Sequence, residues 1–383
     1  MRSFCSPLLL FCTCAAFQLQ PCPSVLRSQQ WDRQQRPWRG REDRMELAGR
    51  PTGRREFLQD AFRVAAGGLL LAVGALSPRP ADAFCGDEFP FWVYYAALDA
   101  RLVPFQFEGF KGEINVQVLG DAKKEKKANL NPLFVIPGGP GLPHDYLETM
   151  EGAAQDERRV VVFDPIGTGG SSPLPEGARD SAPYLFTSGC LLAQVDAVLR
   201  SLKVSAYHVM GHGSGAVVAL EKAKAFGFSS PSSPAPPERV LSATLASPLL
   251  SSSGLPPDYL EGLRAQYTSK GGKAPLCVET ALEGSSAEEL KYLGPALDEV
   301  RVADGLGPVS CPVLITYGGE DIVTQGKVEE LRKALSGGAS TLQVRKFDAS
   351  GQLPHLDEKE AYVNAVQAFM ADIDNKLSSA AKS

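Results

Sequence analysis

From about residue 105 the chain repeats one pattern: a short apolar run, a turn rich in glycine or polar residues, then apolar residues at helical spacing. The runs are PLFVIPGG, RRVVVFDPIG, AYHVMG, VLSATLASP, CPVLITYGG and STLQVRKFD. Apolar runs this short, closed by turn residues, read as strands buried on both faces. PHDYLETMEGAA, CLLAQVDAVLRSL, Ala216 to Phe226 and Asp357 to Leu377 read as the intervening helices. Parallel neighbours need crossover connections, so strands alternating with helices predict an α/β fold with a mainly parallel sheet flanked by helices. FQFEGFKGEINVQVLG predicts an opening hairpin, DAKKEKKAN (Asp121 to Asn129) a charged loop, and the Ser/Pro-rich stretch Ser229 to Arg239 a surface loop. About sixty residues, Leu249 to Ser310, separate LASP from CPVLITYGG and predict a small helical cap at the carboxyl edge of the sheet.

The first 83 residues have a different character. They hold 12 Arg and no Lys against 7 acidic residues, which leaves 27 basic and 37 acidic residues for the remainder. A leader of +5 on a body of −10 suggests a targeting segment on an acidic domain, and it argues against a nucleic-acid partner. MRSFCSPLLLFCTCAAF has the layout of a secretory signal, and residues 18–53 are rich in Arg, Gln and Pro like a transit peptide. Arg54-Arg55, Phe57 and Leu58 precede an apolar stretch from Val64 to Leu76 and the triplet Ala81-Asp82-Ala83, as in a twin-arginine signal. The apolar stretch falls short of the ~20 residues that span a bilayer. Stacked signals of this kind resemble those of thylakoid-lumen proteins, which makes the lumen of a plastid thylakoid the expected address. The expected mature chain is 84–383, and no run in it is long enough to cross a membrane. Phe89 to Leu98 reads as a buried N-terminal segment. Its cysteines, Cys85, Cys190, Cys277 and Cys311, have no C-x-x-C spacing, and only four histidines are present, so no metal or cofactor is expected. One or two disulfides, or buried free thiols, fit equally.

Three segments then carry the chemistry. GGPG (Gly138 to Gly141) follows a strand; FDPIGTGGSS (Phe163 to Ser172) follows the next; and HVMGHGSGAVVAL (His208 to Leu220) has the rhythm of the nucleophile elbow G-x-S-x-G. With GGED and GQLPHLDEKE behind them, their order resembles that of α/β-hydrolases of the proline iminopeptidase branch, over about residues 105–375. The resemblance implies a Ser-His-acid triad in the order serine, acid, histidine. It also implies an oxyanion hole made by the residue after the nucleophile and by the glycine loop.

Carried over position by position, the resemblance puts Asp321 at the acid position, in Gly318-x-x-Asp321. The other two triad positions are substituted. Gly213 stands midway between Gly211 and Gly215, where the elbow needs its nucleophile, and Ser214 falls one place later. Centring the elbow on Ser214 would put His212 where close backbones leave no room. Gln352 stands in Gly351-Gln352-Leu353-Pro354, where the family has its histidine, and an amide cannot take a proton near neutral pH. His355 follows three residues on and reads as a packing residue. Pro137 replaces the histidine that precedes the family's glycines, and Pro165-Ile166 replaces a Gln-Arg pair. Gly138, Gly139 and the N–H of Ser214 keep the makings of an anion pocket. His144 and His208 read as a loop and a strand residue.

These substitutions predict a non-catalytic α/β-hydrolase fold that acts as a lumenal binding or interaction protein. Its expected partner is a thylakoid-membrane photosynthetic complex or a small ligand in the vestigial pocket. The alternative is an active serine hydrolase, peptidase or esterase, using Ser214, Asp321 and His355. Chemistry by this fold without a serine is a third reading, and it too lacks the histidine that Gln352 replaces.

Overall fold

The computed structural model describes residues 98–227, 238–249, 259–269, 272–288, 291–292 and 309–380, apart from 338 and 340. The expected leader, and Phe89 to Ala97, lie outside the described residues, as do most of the loop from Ser229 and much of the expected cap.

Eight strands form one sheet in the order β1-β2-β4-β3-β5-β6-β7-β8. β1 (Leu98–Phe107) and β2 (Phe110–Leu119) make the expected hairpin, and β2 also runs antiparallel to β4 (Val160–Phe163). β3 (Leu133–Ile136), β4, β5 (Ala206–His212), β6 (Arg239–Ala246), β7 (Val313–Gly318) and β8 (Leu342–Phe347) are parallel. Helices α1 (Ala122–Ala128), α2 (Ala178–Ser181), α3 (Ser188–Leu202), α4 (Gly215–Phe226), α5 (Tyr259–Thr268), α6 (Leu276–Glu283), α7 (Ile322–Leu335), α8 (Pro354–Asp357) and α9 (Lys359–Ala380) surround it, with a 3-10 helix over Asp145–Asp156.

The unbroken apolar strands follow from burial on both faces. Successive residues point to opposite sides, so Phe134, Ile136, Val161, Phe163, Val209 and Ile315 join one core with α3, α4 and α7. Their neighbours Leu133, Val135, Val160, Val162, Met210 and Leu314 join a second core with the 3-10 helix, α5, α6 and α9. A one-residue slip would exchange the two sets and their packing partners, which fixes the register.

One local reading changes. Asp121 to Asn129 is a capped helix rather than a loop. Asp121 accepts from the N–H groups of Lys123 and Lys124, and Asn129 closes the end at φ 55°. Lysine, glutamate and alanine are good helix formers, and polarity alone had concealed them. The segment after GGPG is a helix as expected, with 3-10 winding. The sequence reading also passed over α7, IVTQGKVEELRKAL, whose apolar positions are sparse.

At the amino edge of the sheet, Asp374 of α9 accepts from Arg158 Nη2 (2.8 Å) and Asn131 Nδ2 (2.8 Å), which fastens the last helix across the strands. At the carboxyl edge the connections part in opposite directions. The chain leaves β3 toward β4 on one side, while β5 lies on the other, with Ile136 beside Gly211. Such a reversal opens a crevice above the strand ends.

Two glycines separate close packing from open helix surface. A Cβ placed on Gly211 would lie 2.1 Å from the Gly215 carbonyl oxygen, whereas one on Gly326 in α7 meets nothing within 4 Å. Chemical denaturation should therefore show Gly326→Ala stabilised by about 0.5–1 kcal/mol and Gly211→Ala destabilised by more than ~3 kcal/mol. A tolerated Gly211→Ala would contradict this packing.

Candidate functional site

The crevice is lined first by the turn between β5 and α4. Gly213 is its apex, with φ +54° in the left-handed region, and Ser214 follows in right-handed helical conformation at φ −66°. A Cβ on Gly215 would lie 2.6 Å from the carbonyl oxygens of Ile136 and Pro137, so 211 and 215 both exclude side chains. Gly213 differs. A Cβ there would make only ordinary contacts, 3.6 Å from Leu249 Cδ1 and 3.7 Å from Gly139 N. The apex thus has room for a side chain directed at the glycine loop. Its N–H donates to the Ala246 carbonyl (2.9 Å) and its own carbonyl accepts from Leu249 N–H (3.0 Å), which pins it to the end of β6. Ser214 is buried and makes no side-chain capping bond to α4.

The other loops are joined to this turn by one chain of hydrogen bonds. Gly138 N–H donates to Tyr146 Oη (2.8 Å), and Tyr146 Oη lies 3.0 Å from His212 Nδ1. His212 Nε2 lies 3.0 Å from the Gln352 carbonyl oxygen. That carbonyl can only accept, so Nε2 carries the proton and Nδ1 accepts from the tyrosine hydroxyl. One neutral imidazole therefore ties the glycine loop, the 3-10 helix, the end of β5 and the loop before α8. Its complete burial lowers its pKa to about 4, despite the bond to Gln352.

Asp321 lies at the end of β7, buried, with Oδ1 accepting from Thr324 N–H (3.0 Å) at the start of α7. Gln352 is buried, and its main-chain N–H donates to Gln266 Oε1 of α5 (3.1 Å). Nε2 of the same Gln266 amide donates to Asp357 Oδ2 (2.9 Å), which bolts α5 onto the loop that carries Gln352. Tyr259, also of α5, is buried with the Gln352 side chain beside its hydroxyl. Burial first, then Tyr146 and the charge of Asp321, push that hydroxyl well above the usual tyrosine range. Gln352, Tyr259 and Asp321 therefore share one end of the crevice.

His355 is fully buried at α8. Its Nε2 lies 3.0 Å from the Tyr146 carbonyl oxygen, and its ring packs against Tyr146, His212 and Tyr362. Neither Ser214 nor Asp321 is among these neighbours. Burial, then the neighbouring His212, hold its pKa well below the usual value.

His144 lies in the loop after GGPG, as read from the sequence, but is buried against Asp164. Nδ1 and Oδ1 are 2.6 Å apart, and Asp164 also accepts from His144 N–H (3.0 Å), Gly170 N–H (2.8 Å) and Asn115 Nδ2 (2.8 Å). Burial alone would lower the histidine, but Asp164, helped by Asp145 and Glu148, raises it to about 10. Burial alone would raise Asp164, and His144 with the N–H donors holds it below the carboxylate range. The charged pair joins the loop after GGPG to the loop after β4. Its signal was present in His144, three residues beyond Gly141, and Asp164 directly after VVVF, but no periodicity links them. Together with Asp145 these residues bring one potential metal-ligand atom each within 4.8 Å of one another. The two nearest of those atoms already bond each other. The cysteines divide between both readings: Cys277 is disulfide-bonded, whereas Cys190 and Cys311 are buried and not in a disulfide.

The buried histidines set a stability profile. Protons taken up by unfolded histidines below pH ~6.5, but refused by His212 and His355 in the fold, cost stability as pH falls toward about 4. His144 works oppositely: its stabilisation is complete below ~6.5 and is lost as pH rises toward about 10. Thermal unfolding across pH should peak near pH 6.5, with an acid limb approaching ~2.7 kcal/mol per pH unit from two protons. His355→Asn should roughly halve that limb, and an unchanged slope would rule out His355 as a source.

Comparisons with known proteins agree with this fold. A family model described as the alpha/beta hydrolase fold matches residues 131–273. Proline iminopeptidase from Lactobacillus helveticus (strain DPC 4571) is 25% identical over 283 residues, covering 63% of this chain and 90% of that protein. Proline iminopeptidase from Lactobacillus crispatus (strain ST1) is 25% identical over 289 residues, covering 65% and 93%. Among solved structures, a hydrolase from Pseudomonas aeruginosa PA01 superposes with a TM-score of 0.52 at 17% identity, over 70% of this chain and 98% of that one, a likeness of fold. The chain has the α/β-hydrolase fold and is similar in sequence to proline iminopeptidases.

Proposed function

We propose that this protein is a non-catalytic member of the hydrolase fold, a binding or interaction protein that keeps the scaffold and pocket of a hydrolase without its triad. The observation that carries the reading is Gly213. It is the left-handed apex of the turn, with room for a side chain 3.7 Å from Gly139 N, yet it has no side chain to offer. Gln352 supports it from the other side, because the amide that shares the crevice with Asp321 cannot relay a proton. Asp321 then serves as the cap of α7. Ser214 sits one residue into the helix, and its N–H, with that of Gly139, is the donor pair left for a ligand oxygen. The alternative triad of Ser214, Asp321 and His355 would require His355 to give up its bond to Tyr146 and leave an aromatic cluster. On the same reading residues 1–83 are a targeting leader and the protein acts in the thylakoid lumen. There it serves a membrane photosynthetic complex or binds a small ligand.

A fluorophosphonate serine-hydrolase probe tests the reading. The wild-type chain should not label, and Gly213→Ser with Gln352→His should. Wild-type labelling that disappears in Ser214→Ala would establish the active-hydrolase alternative instead. The double variant must also fold, and here the geometry makes a separate prediction. Gly213→Ser should cost about 1–2 kcal/mol in chemical denaturation, the strain of an L-residue at left-handed φ, with no added steric term. A loss beyond ~4 kcal/mol would mean that the apex is closed to side chains.

A further inference from the structure

Helices α4 and α7 both begin at the crevice, but they are capped differently. At the start of α7 the carboxylate of Asp321 accepts from Thr324 N–H (3.0 Å). α4, with 12 residues, has neither an acidic residue in its first turn nor a side-chain cap. A helix start gathers partial positive charge and free N–H groups, so an uncapped one favours an anion. Ser214 N–H at this start, and Gly139 N–H across the turn, donate to no protein group among the described residues.

A helix start alone does not define a ligand; the side chains that share the crevice do. Gln352 and Tyr259 are only 8% and 3% exposed. Gln352 Nε2 and Tyr259 Oη lie beside each other, yet neither completes a hydrogen bond among the described residues. Tyr146 is another neighbour of the Tyr259 hydroxyl, and its own hydroxyl holds Gly138 N–H, next to Gly139. The side-chain pair and the main-chain pair therefore face one space. Buried polar groups left unmatched are costly, and all four of these can donate. Four donors suit a ligand with two acceptor oxygens on one carbon and no proton to place. The walls beside them are apolar: a Cβ on Gly213 would lie 3.6 Å from Leu249 Cδ1, and one on Gly139 3.2 Å from Leu142 Cγ.

We propose that the crevice binds an apolar monocarboxylate. One oxygen takes the N–H groups of Ser214 and Gly139, and the other, seated over Gly213, takes Gln352 Nε2 and Tyr259 Oη. The inference rests on the reading of the site as non-catalytic, and it names the ligand class that Gly213 and Gln352 leave room for. A side chain at 213 would occupy the place of the second oxygen. Asp321, already matched to the start of α7, leaves the field of α4 to the ligand.

Binding of benzoate and hexanoate to the full-length protein tests this, with benzamide and hexanamide as uncharged counterparts. At neutral pH, isothermal titration calorimetry should give each carboxylate a Kd about ten-fold or more below that of its amide. In 15N–1H correlation spectra, benzoate should move the Gly139 and Ser214 amide protons downfield. Gln352→Leu, which keeps the main-chain bonds to His212 and Gln266, should weaken benzoate binding about ten-fold or more, and Gln352→Glu further still by like charge. Tyr259→Phe should weaken it about three-fold or more. Equal Kd values for carboxylate and amide in the wild type would overturn the proposal, as would no binding of either carboxylate at millimolar concentration. Shifts confined to residues outside the crevice would do the same, and neither wild-type measurement depends on a variant that folds. A chain that escapes the fluorophosphonate probe but binds no carboxylate would sink this inference and keep the non-catalytic reading. A chain that the probe labels at Ser214 would sink that reading, whatever it binds.

Discussion

The crevice depends on a single neutral imidazole. His212 accepts from the Tyr146 hydroxyl on one side and donates to the Gln352 carbonyl on the other, while Tyr146 accepts from Gly138 N–H. Each member of the chain fills one donor or acceptor role, and only one tautomer satisfies all of them. In a buried site such a network is costly to break, because each freed group stays buried. It therefore fixes where the glycine loop, the elbow and the loop bearing Gln352 stand relative to one another. The same requirement keeps His212 unprotonated and removes it from proton transfer.

Around that chain, charge and packing complete a closed frame. The buried pair of His144 and Asp164 joins the two loops on the β3–β4 side, and Gln266 bolts α5 onto the loop on the β7–β8 side. The first pairing spans 20 residues of sequence and the second 86. The frame is what a hydrolase would need to hold a strained nucleophile and its oxyanion donors within reach of each other. On the proposed reading the frame has outlived the groups it once served, and its remaining use is to hold a pocket. A buried pair is expensive to lose one partner at a time, which gives a physical reason for such a frame to persist after activity is gone.

How much of this was legible in the sequence follows the range of each interaction. The strands were plain because runs such as LFVI and VVVF are buried on both faces, and the apex at Gly213 followed from counting glycines. α1 was hidden because its helix signal is two caps and a propensity, without an apolar stripe. The 3-10 winding of Asp145–Asp156 has no distinct residue pattern to announce it. Least legible were the contacts at long separation. Tyr146 to His212 spans 66 residues and His212 to Gln352 spans 140, so nothing local marks Tyr146, Tyr259 or Gln266 as lining the site. Family order singled out Gly213, Asp321 and Gln352 in the sequence; the bonds that organise their surroundings needed the fold.

The central claim is that the frame is intact and unarmed. Rapid-mixing kinetics with p-nitrophenyl acetate at neutral pH tests it most directly, since any acyl-enzyme would appear as a burst of nitrophenol before the steady state. The account predicts no burst from the wild-type protein at any ester concentration, with release at the rate of Ser214→Ala. A stoichiometric burst that Ser214→Ala abolishes would contradict it and return the protein to the active hydrolases.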